Sequence, residues 1–424
     1  LATEEFDVLV VGGGVAGLQA ALAAGQSGAN VLLIEQTADW GGRAQVDGGK
    51  VDGKPVADWI ASTLKALDDL PNVTRRDRLM GAGVYDHGYA LGYERVNDHT
   101  PSNAGPRHRL WRIRAKQIVT ATGAIERPLS FAGNDIPGVM LASAVRDYAV
   151  NFGVSVGDRT VVVTNNDDAY LTAIAMKNAG LDVPAILDAR ASANGDLVQQ
   201  AIDMGIRVEF GRAIAAVKGG KRVTGVKVCA QIGEGAVLSE IDCEVVAMSG
   251  GWSPVVHLWS HCGGKLNWDV EQQMFRPDAT RPPTSHDGEA MVTVAGIANG
   301  YLDLNNVLQD ADQAGKNAAK AAGSKPKTAK APTASEATIS PMEPVWLMPQ
   351  GAPIKKRMKA WLDFQNDVKV SDVQLAAQEG YESVEHTKRY TTLGMATDQG
   401  KLSNINGLAV LSKALNADIP QVGT

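Results

Sequence analysis

The sequence predicts an α/β protein with two parallel-sheet βαβ units and a small helical unit at the C-terminal end. Three observations predict it. "FDVLVVGGGVAGLQAALAAGQSGANVLLIE", residues 6–35, reads as strand, glycine turn, helix, strand. "RTVVVTNNDDAYLTAIAMKNAGLDVPAILDAR", residues 159–190, repeats that order. From Pro344 onward the valine-rich runs give way to short helical segments bounded by capping residues.

The elements follow in order. Residues 7–11 form a short apolar run, as a strand buried on both faces does. Residues 16–26 are small helix formers, and residues 31–34 are the second strand. Residues 80–120 alternate short strands with turns and end in "RLWRIRAKQIVTATGA". The second unit continues through "GIRVEFGRAIAAVKG" and "VTGVKVCA", both rich in valine. "AMVTVAGIANG" returns to a buried strand, and "NNVLQDADQAGKNAAKAAG" reads as a helix. Residues 323–343 are Lys, Ala, Pro, Thr and Ser without apolar periodicity, which predicts a linker. In the tail, Ser371 is the expected N-cap and Gly380 the expected terminal glycine of one helix; "VEHTKRYTTLG" supplies a second. The expected domains are residues 1–150 with 285–322, residues 151–284, the linker at 323–343, and the helical unit at 344–424.

With 424 residues, 44 % of them hydrophobic, the chain has material for more than one core. The formal charge of −6 comes from interspersed acids and bases, so no nucleic-acid footprint is expected. Cys229, Cys243 and Cys262 are an odd number at wide spacing. They form neither a disulfide framework nor a metal knuckle, and a cytoplasmic setting is the simpler reading. No apolar run reaches about 18 residues, so no membrane span is expected. Glu4, Glu5 and Asp7 stand where a signal peptide would be basic. Leu1 is not an initiator methionine, so the chain reads as a processed or excised piece.

Gly12-Gly13-Gly14-Val15-Ala16-Gly17 satisfies GxGxxG between a strand and a helix, with Glu35 closing the next strand. That context is the dinucleotide-binding fingerprint. Gly12 allows the tight turn, Gly14 lets a pyrophosphate approach the backbone, and Gly17 lets helix and strand pack closely. Free N–H groups at Val15 and Ala16 face the phosphates. Glu35, followed by Gln36, accepts hydrogen bonds from a ribose and repels a 2′-phosphate, which disfavours NADP. Gly41-Gly42-Arg43 and the return crossing "TATGA", with Thr122 and Gly123, narrow the fold to the FAD/NAD(P)-binding flavoprotein type. Gly296 closes the last strand of the same domain. The motif by itself serves NAD and FAD equally.

The second unit departs from the pattern. Asn165-Asn166-Asp167-Asp168 stands where a second glycine fingerprint belongs. Two acids suit a helix N-terminus but repel a pyrophosphate, so a nicotinamide nucleotide is not expected there.

Longer stretches carry a resemblance. "VYDHGYALGYERV", "RHRLWRIRAKQIVTATGAIERPLSFAGNDIPGVMLASAVRDY", "TNNDDAYLTA" and "KAWLDFQNDVKVSDVQLAAQEGYESVEHTKRYTTLGMATDQGKLSNINGLA" resemble the alpha subunit of heterotetrameric sarcosine oxidase along nearly the whole chain. The resemblance implies a complex with beta, gamma and delta subunits. It implies oxidation of sarcosine to glycine and a one-carbon unit, with electrons passed to oxygen as hydrogen peroxide. It implies NAD in this chain, FAD in the beta subunit, and FMN at the interface of the two. The family's alpha subunit is longer, with an N-terminal ferredoxin-like segment and a C-terminal folate-binding domain. Neither is found in these residues, so tetrahydrofolate is expected only through a domain absent here.

Related amine dehydrogenase subunits carry a small [2Fe–2S] domain reading Cys-x-Cys, two helices, then Gly-Met-Gly-Pro-Cys-Gln-Gly-Arg-x-Cys. Here Asp363 and Gln365 fall near the first pair, and Asp398 and Ser403 at the second, within "GMATDQGKLS". Clusters need thiolates, occasionally imidazoles, so no iron–sulfur cluster is expected. The C-terminal unit is thus a helical domain resembling a [2Fe–2S] domain without its ligands. Thr391, Thr392 and Lys401 are its candidates for donors to the interface flavin. His257, His261 and His87 read as structural histidines. No catalytic side chain is expected, because the cofactors carry the redox chemistry. The alternatives are an NADH-dependent flavin reductase with FAD at the first site, a dye-linked amine or proline dehydrogenase alpha subunit, and a nucleotide-binding scaffold without turnover.

Overall fold

The strand Ala2–Val11 lies at the centre of a sheet in which it pairs in parallel with Val31–Ile34 on one side and His108–Thr120 on the other. The computed structural model describes residues 2–100, 105–335 and 337–423 of the chain. Two compact units result: Leu1–Ala124, Pro254–Asp269 and Met274–Glu336 form the first, and Ile125–Ser253, Val270–Gln273 and Ala337–Thr424 form the second. Leu1, and Glu336 within the expected linker, lie outside the described residues.

In unit 1 the strand order is Val73–Arg76, Val31–Ile34, Ala2–Val11, His108–Thr120, Tyr89–Arg95, Leu79–Tyr85. The long strand His108–Thr120 serves two partners besides the central strand. Its first half pairs antiparallel with Tyr89–Arg95, and its last residues pair in parallel with Val292–Val294. Side chains alternate across the sheet. Val8, Val10, Val31 and Leu33 face the helices Val15–Gln26 and Leu304–Ala321. Leu9, Val11, Leu32 and Ile34 face the opposite core with Trp111, Leu258 and Trp259. Both faces are covered, which is why the strands read as continuous apolar runs. Each fully buried Val or Leu contributes about 1.5–3 kcal/mol.

Unit 2 has a wholly parallel sheet in the order Val139–Leu141, Val245–Ser249, Thr160–Thr164, Ile186–Asp188, Val208–Phe210. Val162, Val245 and Ala247 pack on the helices Ala142–Phe152 and Asp168–Asn178. Val161, Val163, Val246 and Met248 pack on the antiparallel strands Arg212–Gly219, Val223–Ala230 and Ser239–Ile241.

The boundaries differ from those read in the sequence, for physical reasons. The chain leaves unit 1 at Ala124, not near residue 150, because Val139–Leu141 hydrogen-bonds to Val245–Ser249 and Ala142 and Val145 are buried with that sheet. It returns at Pro254, not residue 285. There the Val255 N–H donates to Gly123 O at 2.9 Å, and Leu258 and Trp259 enter the unit 1 core. Residues 344–424 cluster within unit 2 instead of standing apart. Asn134 donates to Leu129 O and Trp361 O and accepts from Trp361 N, while Asn406 donates to Pro128 O at 2.8 Å.

The expected linker is pinned along its length. In unit 1, Thr333 N donates to Asp52 Oδ1 at 2.9 Å, Asp52 N donates back to Thr333 O at 2.7 Å, and Lys327 N donates to Ser27 Oγ. One cap also moved. The helix Val370–Gln378 starts after Lys369, whose N–H is accepted by Asp372 at 2.9 Å, so Ser371 sits inside the first turn. Gly380 follows that helix with φ +91°, as a terminal glycine does.

Candidate functional site

The glycine turn of unit 1 is closed on two sides and open on the third. Gly12 has φ +109°, and a Cβ there would lie 2.3 Å from Ala121 O. A Cβ on Gly17 would lie 1.7 Å from Gly12 O. Strand, turn and helix therefore meet at a distance only glycine permits. Gly14 has an ordinary φ of −70°, and a Cβ built on it would meet nothing within 4 Å. Open space faces that position.

The helix Val15–Gln26 begins at Gly14 with no side-chain cap and no acid in its first turn. Its first ladder bond runs from Leu18 N to Gly14 O at 2.9 Å. The N–H groups of Val15, Ala16 and Gly17 are thus outside the ladder, at the positive end of the helix dipole. An open glycine cradle with uncapped donors fits a pyrophosphate.

Glu35, 8 % exposed, accepts from Gly13 N at 2.7 Å, from Thr37 N at 2.8 Å and from Thr37 Oγ1 at 2.9 Å. Its position beside the turn is set by these bonds, which use three of the carboxylate's roughly four acceptor sites and leave one, on Oε2, for a ribose. Gln36 is exposed, and its carbonyl accepts from Arg95. The Gly41-Gly42 turn seats on the cradle, with Gly41 N donating to Gly13 O at 2.8 Å. Arg43 pairs with Asp47 at 2.9 Å. Thr122 Oγ1 donates to Val255 O at 2.6 Å, beside Gly123, which follows the strand that bounds Gly12. Gly296 lies against Ala16, but its N–H donates to Asp310 Oδ2 at 2.7 Å. Gly296 therefore supports the helix start and has no free donor for a ligand. Sequence reasoning passed over Thr37 and Asp310. A Thr two residues after a strand-end acid is a weak local signal; Asp310 gives none, because its partner Gly296 lies in the separate 3-10 turn Gly296–Asn299.

Burial pushes the Cys243 thiol up to about 12 and that of Cys262 up to about 11, so neither is a thiolate at neutral pH. Among the described residues no group of three or more His, Cys, Asp or Glu is placed to hold a metal ion. Among them, too, no helix is long and apolar enough to cross a membrane. His87 lies in the turn Asp86–Gly88 with φ 60°, and the His261 ring stacks 6.3 Å from Tyr85.

The "GMATDQGKLS" loop is held by carboxylates. Asp363, 3 % exposed, accepts from Gln365 N at 2.9 Å, Asn366 N at 3.0 Å and Gly394 N at 2.7 Å. Asp398 accepts from Gly400 N and Leu402 N, and Ser403 is buried. Carboxylates and a hydroxyl stand at the positions expected of thiolates, and these residues do not fit an iron–sulfur cluster. Asp363→Ala is expected to lower stability by about 2 kcal/mol, because buried N–H groups lose their acceptor. Denaturant midpoints, with faster amide exchange at Gly394, check it. Thr391 Oγ1 donates to Thr387 O at 2.7 Å and Thr392 Oγ1 to Thr391 O at 2.5 Å, so both hydroxyl protons serve the helix end. Lys401 is exposed at the loop surface.

The chain matches two families of known description: sarcosine oxidase A3 domain over residues 357–424, and FAD dependent oxidoreductase over residues 7–69. Sarcosine oxidase subunit alpha of Rhizobium meliloti (strain 1021) is 39 % identical over 421 residues, 99 % of this chain and 40 % of that one. The subunit alpha of Corynebacterium sp. (strain P-1) is 38 % identical over 99 % of this chain and 43 % of its own. This chain is a homologue of sarcosine oxidase subunit alpha. It spans about two fifths of the length of these curated relatives. Among solved structures, L-proline dehydrogenase from P. horikoshii superposes with a TM-score of 0.71 at 22 % identity, over 100 % of this chain and 77 % of that chain. T. acidophilum thioredoxin reductase gives 0.56 at 19 % identity, over 75 % and 97 %. These likenesses show the fold alone, and the match to the A3 domain runs over residues 357–424.

Proposed function

We propose that this chain is the nucleotide-binding portion of an alpha subunit in a cytoplasmic sarcosine-oxidase-type complex with beta, gamma and delta partners. The observation that carries the reading is homology to sarcosine oxidase subunit alpha along 99 % of the chain. The cradle at Gly12, Gly14 and Gly17 holds NAD. The N–H groups of Val15, Ala16 and Gly17 take its pyrophosphate, and Glu35 takes a ribose. When bound elsewhere in the complex, FAD in the beta subunit and FMN at the interface would supply the redox chemistry that oxidises sarcosine to glycine and a one-carbon unit, with the electrons passed to oxygen as hydrogen peroxide. This chain contributes no catalytic side chain. Its part is to bind, to orient and to present the "GMATDQGKLS" surface, with the exposed Lys401 as its candidate donor to the interfacial flavin. No iron–sulfur cluster belongs to it, since Asp363 and Asp398 stand near the positions of the missing thiolates.

A second reading is favoured by the match of residues 7–69 to FAD dependent oxidoreductases. It places FAD in the same cradle and makes this chain a redox catalyst. One experiment separates the two: denature the purified native complex and identify the released nucleotides subunit by subunit. NAD with this chain and flavin with a partner is the expected result. Flavin released from this chain, with none on any partner, overturns it.

A further inference from the structure

The second βαβ unit has its own crevice, at the carboxyl ends of Thr160–Thr164 and Ile186–Asp188. Ligands of open α/β sheets bind at that edge, with phosphates on the first turn and a ribose at the end of the second strand. Here residues 338–343 lie on those positions. Ser340 N donates to Asp167 Oδ2 at 2.7 Å, on the turn where phosphates would sit. Ser340 Oγ accepts from Asn194 N at 3.0 Å and Gly195 N at 2.7 Å, the approach to the helix Asp196–Asp203. Asn165 Nδ2 donates to Glu343 O at 2.7 Å, and Glu343 N donates back to Asn165 O at 3.2 Å. At the ribose end, Asp188 is engaged by Arg190 at 2.7 Å, and Arg190 also reaches Asp167 at 2.7 Å and Pro341 O at 3.2 Å.

We propose that residues 338–343 are a built-in occupant of the second nucleotide crevice, a peptide strap that holds it shut to dinucleotides. Asp167 accepts from a backbone N–H where a nucleotide would bring a phosphate. Arg190 pairs with both Asp167 and Asp188, and all three side chains are almost wholly buried. Pro341 has no N–H to satisfy and biases Ser340 to an extended backbone, which suits a segment crossing strand ends. The strap gives the degenerate turn a use: acids that reject a pyrophosphate are the acceptors a peptide needs. This inference does not depend on which nucleotide the first cradle takes.

The test is amide hydrogen exchange on the intact complex, with and without added NADH. Protected amides at Gly195, Ser340 and Glu343, unchanged by NADH, are expected. Ser340→Ala should speed exchange at Gly195 about fivefold, the loss of one acceptor, while the nucleotide carried by unit 1 is unchanged. Strap amides that exchange at unfolded-chain rates overturn the proposal. So does NADH that exposes Ser340 and Glu343 while protecting residues 165–168, since the strap would then be displaceable. Should Ser340→Ala fail to fold, the wild-type exchange pattern decides by itself. A change confined to residues 12–17 on adding NADH reports on the first cradle and leaves the strap assignment standing.

Discussion

Gly14→Ala is expected to fold normally and to lose nucleotide, whereas Gly17→Val is expected not to fold. The two substitutions sit three residues apart in one motif, and the structure separates them. A Cβ on Gly14 meets nothing within 4 Å, and its φ of −70° suits any residue. The methyl group would instead stand in the space where a pyrophosphate approaches the backbone. Bound dinucleotide in the purified complex should fall by more than about tenfold, roughly 1.4 kcal/mol or more. At Gly17 a Cβ would stand 1.7 Å from Gly12 O, a clash with backbone that no rotamer relieves. A cost above about 4 kcal/mol is expected for unit 1. Circular dichroism of the purified variants and chromatography of the released nucleotide read both outcomes. Full nucleotide content in Gly14→Ala would remove the cradle as the binding site.

Glu126→Gln is expected to flatten the pH dependence of stability in unit 2. Glu126 is fully buried; desolvation foremost, and the nearby Asp168 carboxylate second, raise its acid from 4.5 to about 7. Ser143 N donates to it at 2.8 Å, which offsets only part of that. The folded state thus holds the proton more tightly than the unfolded chain does. The contribution is fully present below about pH 4.5 and is lost as pH rises through about 7, a swing of about 3 kcal/mol. Urea denaturation across that range should show wild type losing stability relative to Glu126→Gln as pH rises. Equal slopes for the two proteins would mean that Glu126 is not the group responsible.

Legibility in the sequence followed the range of the interactions. The cradle was readable because Gly12 to Glu35 is one contiguous strand–turn–helix–strand, each part specified by its neighbours. The strand at 31–34 appeared where expected. The central strand was read as starting at Asp7, but it starts at Ala2. Glu4 and Glu5 obscure the apolar signal, and pairing with the distant residues Trp111–Ala115 draws them into the sheet. Gly296 was found as a turn glycine, yet that its N–H belongs to Asp310 follows only from how the strand and helix meet. The cysteine-less loop was visible as a pattern, but not the Asp363 carboxylate that joins its two halves.

By itself the sequence determined the α/β class, the first glycine cradle, the degeneracy of the second turn and the likeness to sarcosine oxidase alpha subunits. All of these rest on local patterns or on long contiguous motifs. Tertiary structure alone decided where the units divide, because strand pairing between distant segments outweighs composition at the boundary. It also turned a stretch that reads as linker into a strap, since Ser340 meets its acceptor Asp167 across 173 residues of chain. A Lys-, Ala-, Pro-, Thr- and Ser-rich segment has no periodicity to bury. Its hydrogen-bonding backbone finds a partner only when folding presents one.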